Sequence, residues 1–252
     1  MEVSILTVTY NAELTVGKTL ESVVSQSFTD YEHIIMDGAS TDRTPEIVEA
    51  SQNPRKHIYS EPDKGLYDAM NKALARAKGR YVIFLNAGDT FADSDSLLRL
   101  IETARKNDFP EIVYGQTDIV NEKGIILGPR HLTAPEKLGW KDFSRGMLVC
   151  HQAFMARRDI APLYNLRYRF SADFDWCVRC LKASQRTAYV GDKPIIHYLN
   201  EGLTTRNHRA SLKERFAIMC RHYGRVKTII NHIGFAIRHL KHKISSIIYR
   251  YA

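Results

Sequence analysis

Four polar stretches in this chain each follow directly on an apolar run. They are Tyr10-Asn11, Asp37-Gly38-Ala39-Ser40-Thr41-Asp42, Glu61-Pro62-Asp63-Lys64-Gly65 and Asn86-Ala87-Gly88-Asp89. A further acidic stretch, Ala172-Asp173-Phe174-Asp175, opens a helix-like pattern. Carboxylates gathered at one edge of a sheet suit a divalent cation and a nucleotide. An Asp accepts hydrogen bonds from a base or ribose hydroxyl, and a hard cation takes oxygen ligands and bridges phosphates. A carboxylate in the first turn of a helix is held in its charged form by the helix dipole.

The glycine-rich phosphate loops are missing. No G-x-G-x-x-G follows the first apolar run, which argues against a dinucleotide dehydrogenase. No G-x-x-x-x-G-K-[ST] is present, which argues against a P-loop NTPase. The phosphates of a nucleotide must then be neutralised in another way, and a metal ion at Asp89 would do it.

The elements that would position these residues read as a βα alternation. Val3 to Thr9 is a β-branched run, followed by a helix from a Thr15 cap to about Ser27. Tyr31 to Met36 is a second strand, and Thr41 or Asp42 can cap the helix that has Pro45 near its first turn. A short strand near His57 to Ser60 precedes a helix from Leu66 to Lys78, where Leu66, Met70, Ala73, Leu74 and Ala77 recur at helical spacing. Tyr81 to Leu85 is the fourth strand. Such alternation predicts a mostly parallel α/β sheet with helices on its faces. Right-handed crossovers then bring the strand-end loops together along one edge. Later, a helix from Asp95 to Lys106, a strand from Glu111, a hairpin turning at Asn121-Glu122-Lys123-Gly124, a strand over "MLVCHQAFMARR" and a helix over "RFSADFDWCVRCLKAS" are expected. "TAYVGDKPIIHYL" adds two short strands.

With these residues in view, "ILTVTYNAELTVGKTLESVVSQSFTDYEHIIMDGASTDRT", "EPDKGLYDAMNKALARAKGRYVIFLNAGD" and "SADFDW" resemble the inverting family 2 glycosyltransferases of the GT-A fold, in the flavour of bacterial colanic-acid and exopolysaccharide enzymes. The resemblance spans about residues 2–204 and rests on the order and spacing of the motifs together. It implies a Rossmann-like central sheet, a nucleotide-sugar donor (a UDP-sugar), a saccharide acceptor that is polyprenyl-diphosphate-linked, and Mg2+ or Mn2+. It implies that Thr7, Tyr10 and Asn11 line the base and that Asp37, Gly38 and Ser40 belong to the segment whose first Asp reads it. Asp63, Gly65 and Asn71 would pack beside the nucleotide, as would Asn86 and Ala87, with Asp89 on the metal. Asp173 would be the general base, and His197 would stand in the segment near the diphosphate. Two departures stand out: Asn86 and Gly88 replace carboxylates that relatives carry, and Ala172 replaces a Glu.

Ordinary structural roles compete with several of these readings. Asp37, Asp42, Asp63 and Asp89 also suit turns and caps, and Asp175 rivals Asp173 as the catalytic carboxylate. His151 and Gln152 are candidates for the acceptor site or half-buried strand residues. His197 suits a phosphate contact or a structural role. Trp140 and Trp176 read as packing residues, and Cys177-x-x-Cys180 as core cysteines sharing a helix face. A metal-dependent nucleotidyltransferase of related architecture is the alternative enzyme class.

The bulk numbers are consistent with this. At 252 residues with 44% apolar content the chain can bury a sizeable core. Its net charge of +8 resides in a tail: residues 205–252 carry eleven Lys/Arg against one acid, Glu214, and sum to +10. The first 204 residues therefore sum to −2. In that tail Val226, Ile230, Ile233, Ile237, Leu240, Ile244, Ile247 and Tyr251 recur in steps of three and four, with basic residues alongside. A glycosyltransferase domain over 1–204 and a basic amphipathic helical tail over 205–252 are expected. The tail would meet an anionic membrane surface, a partner helix or the body itself; nucleic acid is the least favoured partner. "MEVSILTVTYN" has no basic region before an apolar run, and no run of about 18 apolar residues occurs. Together with the absence of a disulfide pattern, this predicts a cytoplasmic protein, peripheral at the inner face of the membrane.

Overall fold

The computed structural model describes residues 1–200 and 207–235. β1 (Val3–Thr9), β2 (Tyr31–Asp37), β3 (Lys56–Ser60) and β4 (Tyr81–Phe84) alternate with α1 (Val16–Val24), α2 (Thr44–Ala50) and α3 (Leu66–Arg76). β1 runs parallel to both β2 and β4, and β2 parallel to β3. Every residue of β1 and β2 is buried, as expected of central strands covered on both faces. The register sets Thr9 beside Asp37 and Asp37 beside Ser60, so the polar loops after these strands start level with one another.

Beyond β4 the chain adds β5 (Thr90–Phe91), α4 (Ser96–Lys106), β6 (Ile112–Tyr114), β7 (Thr117–Val120), β8 (Ile126–Pro129), β9 (Phe154–Arg157), α5 (Ala172–Ala183), β10 (Thr187–Tyr189) and β11 (Ile196–Leu199). The main sheet is ordered β10-β6-β9-β4-β1-β2-β3, and a smaller one β5-β11-β7-β8. β9 is antiparallel to both of its neighbours, so the sheet is mostly but not wholly parallel. The small sheet lies across the end of β4, because β5 follows the Asn86–Asp89 loop directly.

One expected strand is corrected. Of "MLVCHQAFMARR", only Phe154–Arg157 is strand; His151–Ala153 form a 3-10 turn, with the Ala153 N–H donating to the Cys150 carbonyl at 2.9 Å. Residues 147–153 are mostly buried without being paired in a sheet, and an apolar run alone does not distinguish that from a strand.

After α5 come α6 (His208–Tyr223) and a further helical stretch over 225–235, separated by Gly224 at φ 84°. The expected boundary at residue 204 lies outside the described residues. α6 nonetheless shares the main core: Ile218 and Met219 are fully buried in it, each contributing about 1.5–3 kcal/mol of apolar burial. Tyr223 stacks on Trp140 at 5.6 Å, and its hydroxyl donates to the Trp140 carbonyl at 2.7 Å. The helix therefore packs as an integral part of the body. Cys177 and Cys180 are buried free thiols in the same core, and burial raises both well above their usual range.

Candidate active site

The loops after β1, β2 and β3 are knitted into one rim. Asp37 is 2% exposed and accepts from the Ser40 N–H at 3.0 Å and from the Ser60 hydroxyl at 2.7 Å. Ser40 Oγ in turn accepts from the Asn11 N–H at 2.9 Å, and Asn11 Oδ1 accepts from the Thr41 N–H at 2.9 Å. Asn11 and Ala39 both adopt the left-handed region, at φ 47° and 59°, a strain that these cross-loop bonds hold in place. A Cβ at Gly38 would lie 2.4 Å from Asp63 Oδ2 and 3.3 Å from the Tyr10 ring, so any larger residue there would displace the Asp63 carboxylate. Asp63 accepts from the Gly65 N–H at 2.7 Å, and Tyr10 is 64% exposed on the rim. Asp42 accepts from the Thr44 and Glu13 N–H groups, so it caps α2 and ties down the β1 loop at once.

Thr7, expected to line the base, and Asn71, expected to pack beside the nucleotide, are both engaged in bonds within the body. Thr7 is fully buried in the sheet, where its hydroxyl donates to the Leu85 carbonyl at 2.8 Å and lies 2.9 Å from His33 Nε2. Asn71 uses its side-chain amide on the Tyr164 main chain, donating at 3.0 Å and accepting at 2.6 Å. Both position the walls.

Next to the rim is a cleft of about 910 Å3 whose lining includes Asn11, Asn86, Ala87, Asp89, Gln152 and Asp173. Asp89 is 5% exposed. Its Oδ2 accepts from Gln152 Nε2 at 2.7 Å and its Oδ1 from the Leu199 N–H at 3.0 Å. Burial pushes its carboxyl up to about 7 against the lowering effect of those two bonds. Thr19 secures the loop below, donating to the Asp89 carbonyl at 2.8 Å and accepting from the Gly88 N–H at 2.9 Å. Gly88 sits at φ 103°, and a Cβ on it would come 2.7 Å from Leu199 Cδ2. A carboxylate at position 88 therefore does not fit against β11 as it stands.

The donors present suit a hard cation. Asn86 Oδ1 is buried with no hydrogen-bond partner, and Asp89 offers a carboxylate from the same loop. Both are oxygen donors of the kind Mg2+ and Mn2+ take. No group of three or more His, Cys, Asp or Glu side chains able to hold a metal occurs among the described residues. The chain itself would thus supply few ligands, leaving the remainder to a bound substrate.

Asp173 lies across the cleft in the first turn of α5 and is partly exposed. Its Oδ1 accepts from the Tyr67 hydroxyl at 3.2 Å and from the Phe174 N–H at 2.9 Å. Asp175 is placed outside the cleft. It is 2% exposed and held between Arg179 Nε at 2.7 Å and His222 Nε2 at 2.8 Å, which locks α5 to α6. His151 is 2% exposed, packed against Phe84 and Trp176 and bonded to the Tyr164 hydroxyl. Burial, opposed by the nearby Asp173 charge, lowers it to about 4, so it stays neutral near pH 7. His197 is not in the large cleft. It lines a neighbouring pocket of about 180 Å3 with Lys18 and Gly88. Trp176 and Trp140 pack in the body, as expected of structural tryptophans.

Sequence reasoning passed over three residues of this cleft. Tyr67 touches Asp173, and Arg130 and Arg215 are the basic side chains of the lining. Arg215 lies in the tail, for which the sequence offers a membrane surface, a partner helix or the body, with no residue of it singled out for the cleft.

Comparison with known proteins gives this geometry its context. The family model described as "Glycosyl transferase family 2" matches residues 4–161. A PGL/p-HBAD biosynthesis glycosyltransferase of Mycobacterium bovis (strain BCG / Pasteur 1173P2) is 33% identical over 187 residues, covering 70% of this chain and 68% of that one. TuaG of Bacillus subtilis (strain 168), whose name assigns it to teichuronic acid biosynthesis, is 29% identical over 85% of this chain and 86% of its own length. The Escherichia coli UDP-Glc:alpha-D-GlcNAc-diphosphoundecaprenol beta-1,3-glucosyltransferase WfgD is 32% identical over 54% of this chain and 52% of its own. Among solved structures, S. aureus TarS 1-349 in complex with UDP-GlcNAc superposes with a TM-score of 0.71 at 18% identity, covering 96% of this chain and 73% of that one. The mannosyltransferase PcManGT from Pyrobaculum calidifontis, in complex with GDP-Man and Mn2+, gives 0.64 at 15% identity over 98% and 80%. At these identities the two structures speak to the fold, which they share.

Proposed function

We propose a reaction from one premise: the chain belongs to glycosyl transferase family 2. It is a glycosyltransferase with an α/β fold of the GT-A type. The finer reading is an inverting transfer of a sugar from a UDP-sugar to a hydroxyl of a lipid-linked saccharide in surface polysaccharide synthesis. The observation that carries it is the meeting of Asp89 and Asp173 in one cleft beside the knitted rim. UDP as carrier is supported by the donor in the name of WfgD and the ligand in the TarS complex. The acceptor class is supported by the diphosphoundecaprenol in the name of WfgD.

In this reading the nucleoside end lies on the rim of Tyr10, Asn11, Gly38, Ser40, Asp63 and Gly65, with Asp37 holding the loop that receives it. The sugar points into the cleft. An acceptor hydroxyl gives its proton to Asp173 as its oxygen attacks the anomeric carbon. The bond from that carbon to the phosphate oxygen breaks on the opposite face, its electron pair leaves with the nucleoside diphosphate, and the configuration inverts. Asp89 and Asn86 would hold Mg2+ or Mn2+, which when bound supplies positive charge toward the departing diphosphate. Gln152 and the Leu199 N–H keep Asp89 in place. The Tyr67 hydroxyl and the Phe174 N–H hold the Asp173 carboxylate in place.

We also assign the C-terminal helix to an anionic membrane surface at the cytoplasmic face. Of the expected apolar seam, Val226, Ile230 and Ile233 fall among the described residues and are 74%, 62% and 56% exposed. The opposite side meets the body, where Thr228 is fully buried and Asn231 Nδ2 donates to the Ser144 carbonyl at 2.8 Å. The seam from Ile237 onward lies outside the described residues.

The test is Asp173→Asn in the purified protein with a panel of nucleotide-sugars and Mn2+. Turnover is expected to fall by roughly 10²–10⁴-fold, the usual contribution of a positioned base, with UDP affinity nearly unchanged. Turnover retained within a factor of a few would remove Asp173 as the base.

A further inference from the structure

α6 lies well beyond the residues matched by the family model, 4–161, yet it sends a side chain into the cleft. That side chain is Arg215, whose Nε is buried with no hydrogen-bond partner. Its guanidinium carbon lies 5.7 Å from the ring of Phe174, the residue after Asp173. The adjacent acid, Glu214, is engaged elsewhere: it accepts from the N–H groups of Arg169, Phe170 and Ser171 at 2.7, 2.7 and 3.0 Å. Arg130, which follows β8, is the other cationic residue of the lining, and its recorded bond is to the Met147 carbonyl at 3.2 Å. Neither arginine has an ion-pair partner among the described residues, and no Lys lines the cleft.

Two guanidinium groups without acidic partners in a cleft call for an anion. A guanidinium presents a planar fork that matches phosphate oxygens, and a buried donor with no partner is costly until a ligand satisfies it. Glu13, Asp42, Asp89, Glu122 and Asp173 also line the cleft, and none of them forms an ion pair with either arginine among the described residues. We propose that Arg215 and Arg130 form an anion site that binds the diphosphate of the donor without help from a metal ion. This rests on the nucleotide-sugar reading above. Arg215 is thereby a residue of the leaving-group site, where it stabilises negative charge as the anomeric C–O bond breaks. The tail helix supplies part of the reaction centre, besides any membrane role of the residues that follow it.

A diphosphate could also come from a lipid-diphosphate acceptor, so the experiment separates the two. The full-length protein is titrated by calorimetry in EDTA with inorganic pyrophosphate, UDP and uridine. Wild type is expected to bind the first two without metal. Arg215→Ala should weaken both by roughly tenfold or more and leave uridine unchanged. Arg215→Lys should recover part of the loss, because charge remains and the fork does not. In steady state the donor KM should rise and the acceptor KM should not. Arg130→Ala, on a different element, is measured in parallel, and thermal melts confirm that each variant is folded. Unchanged UDP and pyrophosphate affinity in folded Arg215→Ala overturns the proposal, as does a change confined to the acceptor KM. A wild type that binds UDP only with Mn2+ present overturns the metal-independent site. Binding of pyrophosphate but not of UDP by wild type would instead sink the donor assignment and leave the anion site standing.

Discussion

His33 shows how far the surroundings of one side chain can decide its chemistry. It is fully buried beneath the rim. Thr7 uses its proton on the Leu85 carbonyl, so at 2.9 Å it can only accept from His33 Nε2, while Asn53 Nδ2 lies 3.3 Å from Nδ1. The ring is therefore the neutral tautomer with its proton on Nε2. Burial lowers its pKa to about 3. The unfolded chain, near 6.5, takes the proton first as pH falls. Stability from this group is thus complete above about pH 6.5 and is lost on acidification toward 3, at about 1.4 kcal/mol per pH unit. His151, lowered to about 4, acts with the same sign. His33→Gln, which keeps a donor and an acceptor but no titration, should flatten the decline of unfolding free energy between pH 6 and 4 by about that slope. An identical pH dependence in urea titrations would refute the assignment. The residue scale is also where sequence was most informative. Asp89 follows directly on an apolar run and Asp173 opens a helix-like pattern, and the family resemblance gives both their expected roles.

At the scale of elements, α6 changes the meaning of the C-terminal sequence. Its composition is basic, and a basic helix alone suits a solvated or lipid-facing role. What docks it is a set of specific contacts with α5: Glu214 on the three N–H groups before the helix, the paired Ser171 and Ser211 hydroxyls at 3.0 Å, and Asp175 between Arg179 and His222. Glu214 thereby caps, from another element, the helix that carries Asp173. Glu214→Ala should lower unfolding free energy by about 1–3 kcal/mol, because it leaves the donors without an acceptor. Glu214→Gln should cost less, since an amide oxygen still accepts. Denaturant curves on both variants check this, and an Ala variant as stable as wild type would show that the cap does not matter. The contacts that join the two helices are far apart in sequence: Glu214 and Phe170 are 44 residues apart, and Asp175 and His222 are 47.

The whole molecule sets the proposed reaction cleft and the exposed apolar residues Val226, Ile230 and Ile233 on one chain. No helix among the described residues is long and apolar enough to cross a membrane, and the attachment proposed for the tail is interfacial. Deleting residues 225–252 removes the seam and keeps α6. The truncated protein is expected to lose binding to phosphatidylglycerol vesicles in flotation assays while turning over a water-soluble acceptor analogue at a near-wild-type rate. Wild-type binding should weaken as salt rises, since basic residues supply part of the attraction. Equal flotation of both proteins would eliminate the tail as the membrane contact.

Local sequence determined the alternation of β1 to β4 with α1 to α3, because hydrophobic period and strand-end polarity are properties of neighbouring residues. From that alternation the gathering of the Asn11, Asp37, Asp63 and Asn86–Asp89 loops at one sheet edge follows by handedness alone. Tertiary structure decided what lies across the cleft from them. It turned residues 147–153 into a buried loop that brings Gln152 to Asp89, withdrew Thr7, Asn71 and Asp175 into structural bonds, and set His197 in a separate pocket. It also brought Arg215 beside Phe174 from 41 residues further along the chain. Periodicity does not record such pairings, because they are chosen by packing between elements whose separation in sequence is arbitrary.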